Sequence, residues 1–221
     1  MSIIKLILPV FLITCATFGV ADEISVITLS ESYNLTKDYA EVTEVWTLKN
    51  IGNTDVSSIY LTRRNIDHLS VGSFNKKILF TYDKRDNITF INITFRNKLK
   101  IGEETELFLR YRKYALIKQK GETYSAEITV LGSYPWIVSR TLLTVRLPEG
   151  MQTGDISPKP DSVRIDSGSY ILYYNFGTAL PGMVIKIDIE FGKFRDRAKK
   201  SIEKARDMEE EVKFRIDALS Q

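Results

Sequence analysis

The stretch Tyr39–Leu61, with the sequence YAEVTEVWTLKNIGNTDVSSIYL, indicates the fold class. Apolar and polar residues alternate in its first half, and this period of two predicts a half-buried antiparallel strand. Residues 50–55 predict a turn, because Gly and Asn tolerate positive φ and Asn or Asp side chains bond nearby backbone. An extended run resumes at Val56, so we expect a hairpin and a mainly β chain. The residues on the apolar face of the first strand are Ala40, Val42, Trp46 and Leu48.

Composition limits the classes of function. The 221 residues are 43% hydrophobic and 27% charged, which is typical of a globular protein with a real core. The net charge of +3 is too small to predict a nucleic-acid partner, which requires a concentrated basic footprint.

The rest of the chain up to residue 191 shows short extended runs separated by turn signals and prolines. This pattern predicts an antiparallel β-sandwich, either one large unit or two small packed units at residues 22–117 and 118–191. Residues 30–37 and 63–73 are expected to be a polar connection and an irregular segment. The further strands are expected at Ile24–Leu29, Ile78–Tyr82, Ile88–Arg96, Thr105–Tyr114, Thr123–Leu131, Trp136–Leu147, Ser162–Ile165, Tyr170–Phe176 and Met183–Phe191.

The first 21 residues predict a signal peptide, with an uncharged apolar run and small residues before a cleavage site after Ala21. A retained anchor is one alternative, and a lipoprotein modified at Cys15 is another. The predicted location is secreted or on the extracytoplasmic face of the cell envelope. Sequons suit such a compartment, and they make Asn34, Asn87 and Asn92 candidate glycosylation sites.

The last 30 residues, 192–221, predict a long amphipathic helix, because residues 193–219 lack Gly and Pro and repeat apolar residues at three- and four-residue steps. Its apolar stripe must be covered by the chain itself, by a second copy or by a protein partner. The candidate association residues are Ile202, Met208, Val212, Ile216 and Leu219.

Few residues suggest catalysis. His68 is the single histidine and is expected to be a surface residue, because general-base catalysis needs a positioned partner. If the chain is cleaved after Ala21 it keeps no cysteine, and with a single histidine it lacks the usual ligands of zinc. We therefore predict no metal site, and we also predict no catalytic residue and no cofactor. The cluster Asp155, Asp161 and Asp166 could bind calcium, but its spacing matches no known loop.

The segment Arg110–Lys120 interleaves basic residues with tyrosines. It could grip an anionic polymer or membrane headgroups, although we favour a strand whose arginines flank a buried tyrosine edge. Tyr134 and Trp136 could form an aromatic platform for a sugar, but Trp136 is expected in the core.

Three pieces of the chain resemble the luminal N-terminal region of the ribophorin I family, a subunit of oligosaccharyltransferase. The resemblance implies a β domain outside the membrane that supports a larger complex. The resemblance implies no catalytic residue in this chain. The pieces are Thr47–Ser58, Ile101–Leu107, and Tyr134–Trp136 with Val145–Pro148.

Together these patterns predict an exported, non-enzymatic, immunoglobulin-like β-sandwich module at the cell surface. Its helix is expected to bind a protein partner or a second copy of the chain. A position close to a membrane is compatible with this prediction, and no nucleic-acid partner is expected. The alternatives are a ribophorin-like accessory subunit of a membrane glycosylation complex and a carbohydrate-active hydrolase whose carboxylates converge only in three dimensions.

Overall fold

The computed structural model describes residues 24–130 and 134–194, which form fourteen strands and no helix. No helix in this part of the chain is long and apolar enough to cross a membrane. The strands are β1 (Ile24–Leu35), β2 (Ala40–Asn50), β3 (Val56–Arg64), β4 (Ile66–Ser73), β5 (Ile78–Arg85), β6 (Ile88–Leu99), β7 (Glu104–Lys113), β8 (Ile117–Lys120), β9 (Thr123–Val130), β10 (Val138–Arg146), β11 (Gln152–Ser157), β12 (Ser162–Asp166), β13 (Ser169–Ala179) and β14 (Ile185–Gly192).

The strands form three sheets in a sandwich-like arrangement. The large sheet has seven strands in the order β12-β13-β10-β1-β2-β7-β4, and the smaller sheets have the orders β11-β14-β9-β8 and β3-β6-β5. Neighbouring strands are antiparallel with one exception, since β1 and β10 run parallel. The mainly β prediction is therefore confirmed, and the expectation of a purely antiparallel fold is wrong at this one pair.

The core lies on the inner face of the large sheet, and the apolar residues of the predicted alternating pattern are the ones that are buried there. On β2, Val42, Trp46 and Leu48 are at most 1% exposed. The smaller sheets supply the opposing apolar residues, among them Ile93 on β6 and Ile187 on β14, and both are fully buried. Burying an aliphatic side chain of this size stabilises the fold by about 1.5–3 kcal/mol, so this shared core holds the three sheets together.

The predicted hairpin between β2 and β3 is wrong. Strand β2 pairs with β1 and β7, whereas β3 pairs with β6 in the small three-stranded sheet. Both edges of β2 are therefore occupied, and the turn carries the chain from one sheet to another. The Asn50 amide fixes this crossing, because its Nδ2 donates to the carbonyl oxygens of Thr54 at 2.8 Å and Leu99 at 2.9 Å.

Two further expectations fail, and two hold. Residues 30–35 continue β1, and residues 66–73 form β4 instead of an irregular segment. The strands expected at Ile88–Arg96 and Thr105–Tyr114 are confirmed as β6 and β7. The strand β11, which is short and largely polar, was not predicted, whereas β8 lies in the segment Arg110–Lys120, for which a strand was favoured.

The division at residues 117 and 118 stays a prediction, and the seven-stranded sheet takes strands from both sides of it. Strand β14 ends at Gly192, where the helix was expected to begin. The signal peptide, Cys15 and all five candidate association residues lie outside the described residues.

Candidate functional site

A groove with a volume of about 1040 Å³ opens on the inner side of the large sheet. Its floor comes from β1, β2 and β7, and its sides come from the two smaller sheets and the segment that follows β7. We call this feature the central groove. Its charged and aromatic lining residues are Glu31, Tyr33, Glu44, Arg63, Arg64, Phe90, Tyr111, Lys113, Tyr114, Lys118, Lys120, Glu127, Tyr134, Asp155, Asp188 and Glu190.

Two glutamates lie side by side on the floor. Glu31 on β1 pairs directly with Glu44 on β2 in the strand register, so both side chains project from the same face of the sheet. They are 2% and 1% exposed. Two buried carboxylates at adjacent positions repel each other, so their surroundings must treat them differently.

Glu44 is held as a carboxylate. The guanidinium of Arg63, which reaches across from β3, donates from Nε to Glu44 Oε1 at 2.7 Å and from Nη2 to Oε2. Trp46 Nε1 donates to Oε2 at 2.9 Å, and the Tyr111 hydroxyl donates to Oε1. Burial opposes ionisation, but the charge of Arg63 and these hydrogen bonds outweigh it and lower the pKa of Glu44.

Glu31 has a poorer environment. Its one hydrogen bond within the described residues comes from the Tyr33 hydroxyl, at 3.0 Å from Oε2. Burial and the neighbouring charge of Glu44 raise the pKa of Glu31 from 4.5 to about 7, against the opposing effect of Arg63 and Lys113. Glu31 is therefore the floor group whose charge changes near neutral pH.

Lys113 completes the floor at the end of β7. Its ammonium lies 5.7 Å from the centre of the Tyr33 ring. Burial lowers the pKa of Lys113, and the carboxylates of Glu31 and Glu44 oppose this effect. On the other side, the Arg63 guanidinium lies 5.3 Å from the centre of the Tyr134 ring, which packs edge-on against Trp46. The floor is thus a polar network closed in by aromatic rings.

The sides of the groove carry exposed charges of both signs. Lys118 and Lys120 project from one face of β8, and Arg64 lies at the end of β3. Glu127 on β9 and Asp188 on β14 occupy paired positions of the four-stranded sheet. Such a surface suits a ligand that itself presents both donors and acceptors.

The three sequons lie in different settings away from this floor. Asn34 is exposed on β1, and Asn87 is exposed in the β5–β6 turn. Asn92 is half-buried on the central strand β6, between Tyr60 and Thr81 of the flanking strands. Their use as glycosylation sites stays a prediction.

The other residues singled out by sequence are not brought together. His68 is exposed on β4, at a bulge with a φ of 53°. Asp161 accepts the backbone N–H of Asn175 at 2.6 Å, whereas Asp166 pairs with Arg146 at 2.8 Å. Asp155 alone of the aspartate trio lines the groove.

Two features that the sequence analysis singled out, the segment Arg110–Lys120 and Tyr134, do line the central groove. The segment Arg110–Lys120 supplies the floor residues Tyr111 and Lys113 and the wall residues Tyr114, Lys118 and Lys120, so it is more than a strand beside a buried tyrosine. Tyr134 lines the groove, while Trp136 is 5% exposed and belongs to the core, as the sequence predicted.

Sequence comparison finds no match, either to a protein-family model or to a curated protein. Structural comparison does find relatives of the fold. The chain is similar to the M1 zinc metallopeptidase of Deinococcus radiodurans, with a TM-score of 0.52 and 11% identity over 77% of this chain and 42% of that one. It is also similar to leukotriene A4 hydrolase of Saccharomyces cerevisiae, with a TM-score of 0.50 and 12% identity over 77% of this chain and 29% of that one.

These likenesses show a shared fold. The chain spans less than half the length of either enzyme, and the part that matches is the N-terminal domain. They also correct the prediction that the chain is not an enzyme, because proteins that contain this fold are metallopeptidases and a hydrolase. The ribophorin resemblance stays a prediction.

Zinc is the metal named for the Deinococcus enzyme, and the described residues do not fit it. They contain no group of three or more His, Cys, Asp or Glu side chains that could hold a metal ion. Their one histidine, His68, lies outside the groove. Within the described part of the chain, the central groove therefore lacks the ligand set of a zinc centre.

Proposed function

We propose that this chain forms the β domain of a peptidase-type enzyme and that the central groove binds the peptide. The observation that carries the proposal is the groove itself, which has a volume of about 1040 Å³ and a floor built from hydrogen-bonded, buried ionic groups. Clefts of this size with a few fixed polar groups are the usual form of a binding site.

The chemistry of the lining favours a peptide. Its walls offer ammonium and carboxylate groups, and a peptide backbone supplies both donors and acceptors along its length. One structure of the Deinococcus metallopeptidase, with a TM-score of 0.54 to this chain, is described as bound to a Tyr-Ser-Ala substrate. That protein therefore binds peptides, and we extend the ligand class to this chain.

The role we propose for the domain is to hold and orient substrate beside a catalytic domain. Positioning of this kind is a large part of catalysis, because it removes the entropic cost of bringing reactants together. The proposal leaves the bond-breaking step to residues other than those lining the groove.

The same proposal includes export of the chain and its association with the catalytic domain. An exported sandwich followed by an amphipathic helix could join the catalytic domain through the stripe from Ile202 to Leu219. The sequence pattern supports this arrangement, and an apolar stripe of this length is costly to leave in water.

The test is peptide binding to the purified full chain, measured by fluorescence anisotropy with a labelled peptide library. Ser125 is exposed on β9 and lines the groove, so Ser125→Trp should obstruct it and weaken binding at least tenfold. The matched control is Ser32→Trp, because Ser32 is exposed on the opposite face of the large sheet. Equal binding by both variants, or no binding of any peptide by the native chain, contradicts the proposal.

A further inference from the structure

Exposed apolar side chains gather at one end of the large sheet. Each lies just outside a strand, in the β2–β3 turn, the β6–β7 turn, the segment before β10 or the β13–β14 turn. They are between 44% and 64% exposed, so about half of each side chain meets solvent in the described part of the chain. We call this feature the apolar end, and its residues are Ile51, Ile101, Ile137, Leu180 and Met183.

The strand register places these residues at the same end. Five neighbouring strands of the large sheet, in the order β13-β10-β1-β2-β7, begin or finish there. Ile24 opens β1 opposite Asn50, the last residue of β2, and Glu104 opens β7 one residue inside this level. Val138 opens β10 opposite Ala179, the last residue of β13. With neighbouring strands about 4.8 Å apart, the row of strand ends is about 19 Å long.

The opposite end of the same strands is polar. Its turns expose Lys37, Asp38, Glu149 and Ser167. The exposed large hydrophobic residue there is Tyr114, at 38%. Single exposed apolar residues are normal on a protein surface, but a row of them at one end marks a surface for interaction.

The segment that leads into the apolar end is itself suited to lipid. Residues 6–20 form an uncharged, largely apolar run, and three residues separate it from Ile24 in the middle of the row. A run of this kind enters a bilayer during export, whether it is a cleaved signal or a retained anchor. The segment after β14 leaves elsewhere, because the eight residues of β14 carry the chain away from the β13–β14 turn, over about 23 Å.

We propose that the apolar end is a membrane-binding surface, whose exposed side chains enter the headgroup and upper acyl region of a lipid bilayer. Such interfacial insertion is driven by the burial of apolar area. The inference is independent of the proposed function, because none of the five residues lines the central groove.

The charges at the apolar end are mixed. Lys98 and Lys100 are exposed beside Ile101, and Asp55 is exposed in the β2–β3 turn; all three lack an ion pair among the described residues. The long lysine side chains can reach headgroup phosphates while their stems stay on apolar surface. Since both signs are present, we expect affinity for lipid to come from the apolar side chains and to depend weakly on lipid charge.

A second copy of the chain fits the apolar end less well than a bilayer. The side chains come from separate turns in one row, and five of them supply less than the roughly 800 Å² per partner of a standard interface. A bilayer surface adapts to separate apolar tips, so it needs no complementary shape.

The experiment places a nitrobenzoxadiazole label on single cysteines of the full chain, in a Cys15→Ser background, and adds phosphatidylcholine vesicles. We expect labels at Ile101→Cys and Leu180→Cys to gain fluorescence about twofold and to be quenched by nitroxide-bearing acyl chains, because these positions enter the bilayer. A label at Glu149→Cys, at the opposite end, should do neither. Adding phosphatidylglycerol to the vesicles should change these results little.

A double variant tests the apolar side chains themselves. I51D/I101D should reduce the quenching at Leu180→Cys about fivefold, because each added charge must approach lipid. Both positions lie in exposed turns, so the fold should persist, and circular dichroism checks this. The matched control is S32D/S167D, which adds two charges at exposed positions away from the apolar end and should leave the quenching unchanged.

Four outcomes overturn the inference. Labels at positions 101 and 180 could stay in water when vesicles are added, or the label at position 149 could be quenched equally. Quenching could also persist in I51D/I101D, which would show that these side chains do not insert. Labels shielded without lipid, in a chain that sediments as a dimer, would assign the apolar end to a second copy. Each of these results leaves the peptide groove to its own test.

Discussion

At the scale of single residues, the Glu44–Arg63 pair is the feature that organises the floor. Both side chains are buried, at 2% and 8% exposure, and Glu44 also accepts bonds from Trp46 and Tyr111. A buried pair of this kind contributes little net stability compared with an apolar core, but removing one partner leaves a charge without compensation. The pair therefore fixes the geometry of the groove.

Replacing Arg63 by Met tests this description. Arg63→Met should lower the free energy of unfolding by about 3–5 kcal/mol, since it leaves Glu44 buried and unpaired. The measurement is urea denaturation followed by tryptophan fluorescence. Lys49→Met is the control, because its ion pair with Glu104 is 41% and 50% exposed, and the loss there should stay below about 1 kcal/mol. Equal losses at both sites would show that the buried pair has no special role.

Glu31 gives a prediction for pH. Its pKa in the folded chain is about 7 against an ordinary 4.5, so between these values the folded state binds more protons than the unfolded one. Stability should therefore fall as pH rises from 4.5 to 7 and then level off. The groups that face Glu31 are Tyr33, Glu44, Arg63 and Lys113.

The variant Glu31→Gln should remove this part of the pH dependence. Its unfolding free energy relative to the native chain should rise between pH 4.5 and 7, because glutamine mimics the neutral carboxyl. Glu41→Gln serves as the control, since Glu41 lies on the opposite face of β2 with its side chain 51% exposed. A Glu31→Gln chain with the native pH profile would contradict the assignment.

The floor residues show how much of the site the sequence could reveal. Glu44 occupies the apolar phase of β2, between Val42 and Trp46, and a charge in that phase is a usable signal of a buried polar network. Glu31 lies in the same way between Leu29 and Tyr33 on β1, but its polar neighbours in sequence led to the prediction of a connection, which hid this signal. Arg63 lies on another sheet, and its approach to Glu44 depends on the crossing after β2.

At the scale of elements, the sequence predicted strands well and pairings poorly. Alternation along β7 and β14 identifies their buried faces, because each strand has one face on the core. Pairing depends on which edges are free, and β2 shows this, since its neighbours β1 and β7 leave no edge for β3. The parallel contact between β1 and β10 joins segments more than a hundred residues apart, beyond the reach of local turn chemistry.

The edge strand β4 carries a prediction at this scale. Gly72 faces Phe108 across the β4–β7 pair, and a Cβ at Gly72 would lie 2.2 Å from the ring carbon Cζ. Phe108 also packs on Phe74, with 5.1 Å between ring centres. Gly72→Val should displace this half-buried ring and destabilise the chain by about 1 kcal/mol, the low end of the range for overpacking, because the tip of the ring can move towards solvent.

The matching measurement is thermal unfolding, with Ser70→Val as the control, because Ser70 is exposed on the same strand. A β-branched residue suits an exposed strand position, so the control should be close to neutral. If Gly72→Val were equally neutral, the aromatic cover over the glycine would contribute nothing to the stability of the edge.

At the scale of the whole molecule, the chain combines the central groove with a predicted surface for association. The segment after residue 194 lies outside the described residues, so its prediction rests on the apolar stripe alone. The double substitution I202D/V212D should weaken self-association or partner binding while leaving the β region folded, because it places two charges in that stripe. Sedimentation velocity measures this, with Ser201→Asp as the control. A chain that remains fully associated after the double substitution would exclude the stripe as the interface.

The proposed role of the groove is to bind a peptide, and photo-crosslinking identifies the residues that a bound peptide contacts. An octapeptide with a central benzoylphenylalanine would be irradiated with the full chain, and the adducts mapped by mass spectrometry. We predict adducts on groove residues such as Tyr114, Ser125 and Val184, suppressed by excess unlabelled peptide. Adducts confined to the opposite face of the large sheet, for example at Ser32 or Thr43, would contradict the claim.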